Sequence, residues 1–367
     1  ILAEELLQLG ATNVREGNRL VRFEGDKGFM YKANLCLRTA VKILKPFHEF
    51  TAKNEVELYN QIYHFDWKTV MGTNQTFAID SVVFGKYFNH SLYVSQRCKD
   101  AIVDRFRKDF QKRPSVDTRH PDIRLHLHVF DRKCNLSIDT SGESLHHRGY
   151  RIVTNIAPLN EVLAACIIKQ SGWDGSKDFL DPMCGSGTIL IEAAMIAYNI
   201  PVNIFREHFG FKGWKDFDSK LWEKIKEISL EKEINYTGKI TGSDFSLDAI
   251  KISEDNIENA LLYDKIEVTQ NNLFNNIISP GTFVIFNPPY GERINIETDD
   301  FYEKIGSTLK HNYEECIVWI ISSDIQNMKF IGLKPTRKIK VMNGKLECSF
   351  RKFEIYKGSK KKNKKIY

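Results

Sequence analysis

Three stretches of this 367-residue chain carry residue types whose spacing could do chemistry. The first, DPMCGSGT at 181–188, sets two glycines between a short apolar run ending in an acid and an apolar helical segment at 188–200. Glycines there let the backbone turn sharply and approach a ligand that faces the helix N-terminus. The second is Asp244, which closes the strand expected at 240–244. A strand-end acid can accept both hydroxyls of a ribose. A dinucleotide fold would put it about 20 residues past the glycines, and a helical insertion at 205–228, with Trp214 and Trp222, explains the longer distance. The third is FNPPYGER at 286–293. Its two prolines stiffen the backbone and remove two amide donors, leaving carbonyls to face a ligand. Asn287 adds a side-chain carbonyl, Pro288 a backbone carbonyl and Tyr290 a ring for stacking. Two acceptors aimed at an exocyclic amine would hold it and favour attack by its lone pair on an activated methyl carbon.

The elements that must position these residues follow from periodicity. Strands are expected at 177–181, 240–244, 266–270, 282–287 and 316–322. Helices such as 158–169 and 246–262 fall between them, and a hairpin of 338–342 and 346–356 turns at Asn343 and Gly344. Parallel βα units finishing in an antiparallel hairpin give a three-layer α/β sandwich. Upstream, residues 1–45 read as a small α+β unit: a helix, a turn at Gly10, and short strands at 20–23 and 35–37. Residues 46–150 read as a second unit, with a helix at 55–62, a strand at 76–83 and a helix at 96–110 that aligns Ile102, Phe106 and Phe110 before Pro114 ends it. The stretch IRLHLHVF at 123–130 alternates, sending Leu125, Leu127 and Val129 inward and Arg124, His126 and His128 outward, and a return strand follows at 134–139. His126 and His128 lack a third ligand in the sequence around them, so they read as a polar strand face and no metal is expected.

Charge divides along the chain. Residues 97–151 hold thirteen basic and eight acidic side chains, 152–356 hold 23 and 29, and the tail 357–367 adds six lysines and no acid. A polyanion would be gripped by the first half and handed to the second. Candidate contacts to such a polyanion are Arg105, Lys108, Lys112 and Arg113 along the 96–110 helix and just beyond it. His147, Arg148 and Arg151 join them from SLHHRGYR at 144–151, a segment that reads equally as a solvated connector. No apolar run approaches the roughly 20 residues that span a bilayer, so no membrane association is expected. The opening ILAEELLQLG is amphipathic rather than a signal peptide. Seven scattered cysteines without a Cys-x-x-Cys pair suit reduced thiols in a cytoplasmic protein, expected as a monomer.

On DPMCGSGT, NPPYGER (287–293), SLHHRGYR and the hairpin NGKLECSF (343–350), the chain resembles the Rossmann-like S-adenosylmethionine-dependent methyltransferases that modify exocyclic amines. More closely, it resembles the THUMP-domain RNA methyltransferases, over nearly its whole length. The resemblance implies a ferredoxin-like unit over 1–45, a THUMP RNA-binding domain over 46–150, a class I methyltransferase domain over 151–356 and a basic tail. It implies that Asp181, Gly185 and Gly187 hold the methionine part of S-adenosylmethionine, with Cys184 and Thr188 in the same loop, and that Asp244 holds the ribose. Asn272 stands at the adenine-facing position, where the family usually has an Asp. Asn287 and the Pro288 carbonyl would bind the target amine and Tyr290 would stack on the base, which must first be exposed or flipped from folded RNA. The implied substrate is a guanine amino group in large-subunit (23S) ribosomal RNA. A transfer-RNA guanine, or an adenine of RNA or DNA, offers an exocyclic amine to the same two acceptors. An inactive RNA-binding or assembly factor on this fold is the third reading.

Overall fold

The computed structural model describes residues 1–151, 159–289 and 298–358. The chain begins with α1 (Leu2–Leu9), the hairpin β1 (Thr12–Gly17) and β2 (Leu20–Glu24), and α2 (Lys27–Cys36). Gly10 ends α1 in the left-handed conformation, its N–H returning to Leu6 and Leu7. The strand expected at 35–37 is instead the last turn of α2. Asp26 caps that helix by accepting from the Phe29 amide at 2.7 Å, and Tyr31, Asn34 and Leu35 recur on one buried face.

A five-stranded sheet follows, built from β3 (Leu44–Thr51), β4 (Thr76–Phe84), β5 (Ser115–Val116), β6 (Ile123–Phe130) and β7 (Lys133–Asp139) in the order β3-β7-β6-β4-β5. Helices α3 (Glu55–His64) and α4 (Ser91–Phe110) cover one face. The alternation of β6 is realised: Leu125, Leu127 and Val129 are fully buried beneath the helices. Asn54 caps α3 through the amides of Val56 and Glu57.

The second half opens with α5 (Glu161–Ser171) and continues through β8 (Phe179–Asp181), α6 (Thr188–Ala197), α7 (Ser219–Leu230), β9 (Ile240–Asp244), α8 (Leu247–Asn259), β10 (Glu267–Gln270) and β11 (Phe283–Phe286). It closes with α9 (Thr298–Asn312), β12 (Ile317–Ser322), β13 (Arg337–Asn343) and β14 (Leu346–Glu354). The strand order is β10-β9-β8-β11-β12-β14-β13. Strands β8 to β12 pair in parallel, while β14 runs antiparallel to both β12 and β13. This is a mostly parallel sheet with a terminal antiparallel hairpin, the arrangement the resemblance implies. Its centre is dry because Val284, Ile285, Phe286, Val318 and Ile320 have no exposure, as strands covered on both faces require. Among the described residues no helix is long and apolar enough to cross a membrane.

The insertion at 205–228 is more than a detour between β8 and β9. It carries Phe209, Phe211 and Trp222 onto Tyr31 of α2, with ring centroids of Tyr31 and Phe211 4.6 Å apart, and so joins the N-terminal unit to the catalytic one. The segment 141–151 threads the same junction and buries Ser141, Leu145, Arg148 and Tyr150 there. Arg148 and Glu192, both without side-chain exposure, pair at 3.1 Å, and Arg148 also donates to the Leu145 and Arg38 carbonyls at 2.9 and 2.6 Å. Removing one member of such a pair strands the other charge, at a cost of about 3–5 kcal/mol. Glu192→Ala is therefore expected to lower the urea midpoint substantially, and Glu192→Gln, which keeps a hydrogen-bonding oxygen, to lower it less; equal midpoints for wild type and Glu192→Ala would show the pair to be dispensable.

Candidate active site and nucleic-acid interface

Strand β8 is flanked by β9 on one side and β11 on the other, so the connections leaving the sheet centre diverge there. Ligands bind α/β sheets at this point, outside the carboxyl ends of the strands. Asp181 is the last residue of β8, 1% exposed, and its Oδ1 accepts from the Met183 amide at 3.1 Å. The glycine loop is laced to β9: the Gly185 amide donates to Asp244 Oδ2 at 3.0 Å and the Cys184 amide to the Ser243 carbonyl at 3.0 Å. Asp244 Oδ1 accepts from the Ser246 amide at 3.1 Å. Gly185 and Gly187 both adopt left-handed φ, 55° and 78°. They do so for different reasons. A Cβ on Gly187 would come within 2.5 Å of Ser253 Oγ on α8, whereas one on Gly185 would meet nothing within 4 Å. Gly187 allows close helix packing, and Gly185 leaves open space in front of the loop.

Electrostatics single out the same place. Burial, reinforced by the nearby Asp244 carboxylate, raises the Asp181 carboxyl well above the usual carboxylate range, although the Met183 amide opposes the shift. Burial, and then Asp181 itself, push the Cys184 thiol up. Two neighbouring acids at the carboxyl ends of β8 and β9, one of them buried, suit a ligand that brings a cation and hydroxyl donors.

The remaining candidates from the sequence fall around this crevice unequally. Asn287 and Pro288 directly follow β11, half-buried and buried respectively; Tyr290 lies outside the described residues. Thr188 opens α6 with its hydroxyl turned away from solvent, accepting from Arg151 Nη2 at 2.6 Å. Asn272 follows β10, the neighbour of β9, and is exposed, but its side-chain oxygen already accepts from the Phe274 amide at 3.0 Å. Two features escaped the sequence reading. Phe245, next to Asp244, holds its ring 71% exposed at the crevice edge, and Asn256 of α8 supports the loop by donating to the Ser186 carbonyl at 3.0 Å. The signal for Phe245 was present as an apolar residue directly after a strand-end acid.

Comparison with known proteins identifies the family. Residues 148–352 match the family described as the RMKL-like methyltransferase domain, 52–139 the THUMP domain and 1–44 the RlmL ferredoxin-like domain. A Synechocystis protein named "Putative RNA methyltransferase slr0064" is 36% identical over 97% of this chain and 94% of its own. The chain belongs to the RMKL-like family of THUMP-domain RNA methyltransferases. The ribosomal RNA large subunit methyltransferase K/L of Shewanella amazonensis is also 36% identical, over 99% of this chain, but the match spans only 52% of that longer protein. Among solved structures, a "putative methyltransferase complexed with SAH" superposes with a TM-score of 0.84 at 28% identity, covering 97% of this chain and 95% of its own. A "possible methylase" from Clostridium difficile gives 0.85 at 28% identity over 98% and 96%.

In this methyltransferase the candidate RNA contacts divide into two groups. Lys108, Lys112, Arg113 and His147 are exposed, Lys108 lying 5.7 Å from the centre of the Tyr63 ring. Arg105 is half-buried, donating to Asp109 at 2.7 Å and to the Tyr63 carbonyl at 3.1 Å. Arg148 is corrected outright: at 1% exposure and paired with Glu192, it cannot reach a phosphate on the surface. Arg151, 11% exposed, pairs with Glu161 at 2.8 Å and braces α5 against the glycine loop through Thr188. The connector reading of 144–151 fails as well, because the Arg206 guanidinium gathers the carbonyls of Ser141, Glu143, Ser144 and His147 into a folded turn.

The Asp181 shift has a testable sign. A folded carboxyl that holds its proton more tightly than the unfolded chain gives a native state with more bound protons, so stability falls as pH rises above the ordinary carboxylate range. Asp181→Asn removes that dependence. Its melting temperature in the absence of ligand should match wild type near pH 4 and exceed it increasingly toward pH 8; parallel curves would remove the buried charge from the account.

Proposed function

We propose that this methyltransferase moves a methyl group from S-adenosylmethionine to an exocyclic base amine in ribosomal RNA, guanine N2 of the large-subunit (23S) RNA being its target. The reading rests on one juxtaposition: β11, which delivers Asn287 and Pro288, is hydrogen-bonded directly to β8, which delivers Asp181 and the glycine loop. The residues present fit the cofactor. A buried Asp181 beside a second acid suits the ammonium group of a methionine moiety, and Asp244 suits a ribose diol. The open space before Gly185 admits ligand backbone, and the exposed Phe245 ring beside Asp244 suits adenine.

S-adenosylmethionine supplies the activated methyl group. The chain supplies position. The Asn287 side-chain carbonyl and the Pro288 backbone carbonyl each accept one N–H of the target amine, which leaves its lone pair aimed across the crevice. Proline at 288 and 289 cannot donate, so nothing on that backbone competes for the lone pair. Orientation of this kind is worth orders of magnitude in rate without a strong general base. The ribosomal assignment draws on the K/L relatives and on the basic 97–151 segment. Scattered free cysteines support a cytoplasmic setting, and we take the working unit to be the monomer.

Asn287→Ala is expected to leave cofactor affinity within about threefold by calorimetry while lowering single-turnover methyl transfer by about 100-fold or more. Asp244→Ala should do the reverse, chiefly weakening cofactor binding. If Asn287→Ala lost both together, its role as amine acceptor would fall. Mass spectrometry of ribosomal and transfer RNA nucleosides from a deletion strain should reveal one missing N2-methylguanosine in the large subunit, and loss of a methyladenosine or a tRNA methylguanosine instead would redirect the substrate.

A further inference from the structure

The five-stranded sheet has a second face that α3 and α4 do not cover. On it, the register puts Val82 beside His128 and Phe84 beside Phe130. Near the catalytic half this face is closed over, and Asp139 at the end of β7 is 1% exposed. At the opposite end it is open. Phe84 is 53% and Phe130 57% exposed, His128 is exposed with its ring 5.9 Å from that of Phe84, and Tyr87 stands at the rim. Exposed aromatics in adjacent register on a sheet give up burial that the inner face shows the same strands can achieve. They call for an occupant.

The surroundings say which kind. Lys86, Arg132 and Lys133 are exposed around the aromatic pair. Arg132 lies 4.8 Å from the centre of the Tyr87 ring and donates to its hydroxyl. The acid in the intervening turn, Asp131, is committed to the Lys86 amide at 3.1 Å. This local geometry is fixed by Gly85 at φ 108°, where a Cβ would collide with Asp131. Flat rings bordered by cations match unpaired nucleotides, whose bases stack while their phosphates pair with Lys and Arg. We propose that the open end of this sheet, centred on Phe84 and Phe130, is a stacking platform for single-stranded segments of the RNA substrate. The proposal rests on RNA being the substrate class. The length of β6 sets the platform about 25 Å from the junction with the catalytic half, so it would hold a segment of RNA apart from the nucleotide being modified.

The test uses the full chain and two fluorescein-labelled probes, a 12-nucleotide oligo(U) and an RNA duplex of equal length, followed by anisotropy. The double variant Phe84→Ala/Phe130→Ala is expected to lose about tenfold or more in oligo(U) affinity and less than about twofold in duplex affinity. Phe84→Tyr/Phe130→Tyr should restore oligo(U) binding, and cofactor affinity should be the same in all three proteins. Unchanged oligo(U) affinity in the alanine variant overturns the platform while leaving RNA as substrate intact. An equal loss for both probes overturns stacking in favour of charge alone. Wild type that binds neither probe overturns the RNA reading and the platform with it. Dissociation of a wild-type dimer by the alanine variant, with RNA affinity unchanged, would assign the face to a second copy of the chain.

Discussion

The arrangement depends on a buried guanidinium. Arg148 sits where the N-terminal unit and the catalytic domain meet, with both Glu192 oxygens, the Leu145 and Arg38 carbonyls and Asn203 within reach of its donors. Taking such a charge from water costs several kcal/mol unless its partners are complete, so this junction favours one placement of the N-terminal unit on the catalytic domain. Glu192 lies on α6, the helix that begins at Gly187. The same residue that completes the junction is therefore fixed to the glycine loop. Asn203 extends the lock, donating to the Asn34 carbonyl at 2.8 Å, while Glu5 accepts from the Thr39 amide and Lys169 of α5.

This network accounts for the insertion between α6 and β9. A sheet of this topology could connect those elements briefly. Here the extra chain supplies Asn203 and Arg206, and then an aromatic cluster that covers α2. Arg206 satisfies carbonyls in a turn that would otherwise bury unpaired acceptors, each costly in a dry interior. The N-terminal unit is thus packed through polar groups that specify its position and aromatic groups that supply the burial. It is a static brace.

How much of this could be read from residues alone varied with the range of the interaction. Periodicity is local, and IRLHLHVF, the glycine loop and the closing hairpin all appear as their patterns imply. The stretch at 35–37 misled because three apolar residues, Leu35, Cys36 and Leu37, suit a strand or a helical turn equally, and the Asp26 cap nine residues earlier decides between them. Arg148 misled for a deeper reason. Within SLHHRGYR it looks like any cation among polar neighbours, but Glu192, Asn203 and Arg38 are 44, 55 and 110 residues away. Composition reports how many charges a segment holds, and only the fold reports which of them have been neutralised. The basic excess of 97–151 overstates its free positive charge for that reason.

The catalytic crevice poses the opposite electrostatic problem. Its two acids, Asp181 and Asp244, suit a cationic ligand, and residues 152–356 carry 29 acidic against 23 basic side chains. A polyanion is repelled by such a surface. The uncharged groups at 287–289 resolve the conflict, since carbonyl acceptors attract the amino edge of a base while offering nothing to a phosphate. On the proposed reading a nucleotide enters base first, with its backbone held outside on cations from the first half of the chain. On that reading the energetic demand of extruding a base falls on contacts made at a distance from the crevice, and the junction around Arg148 is what would carry them to it.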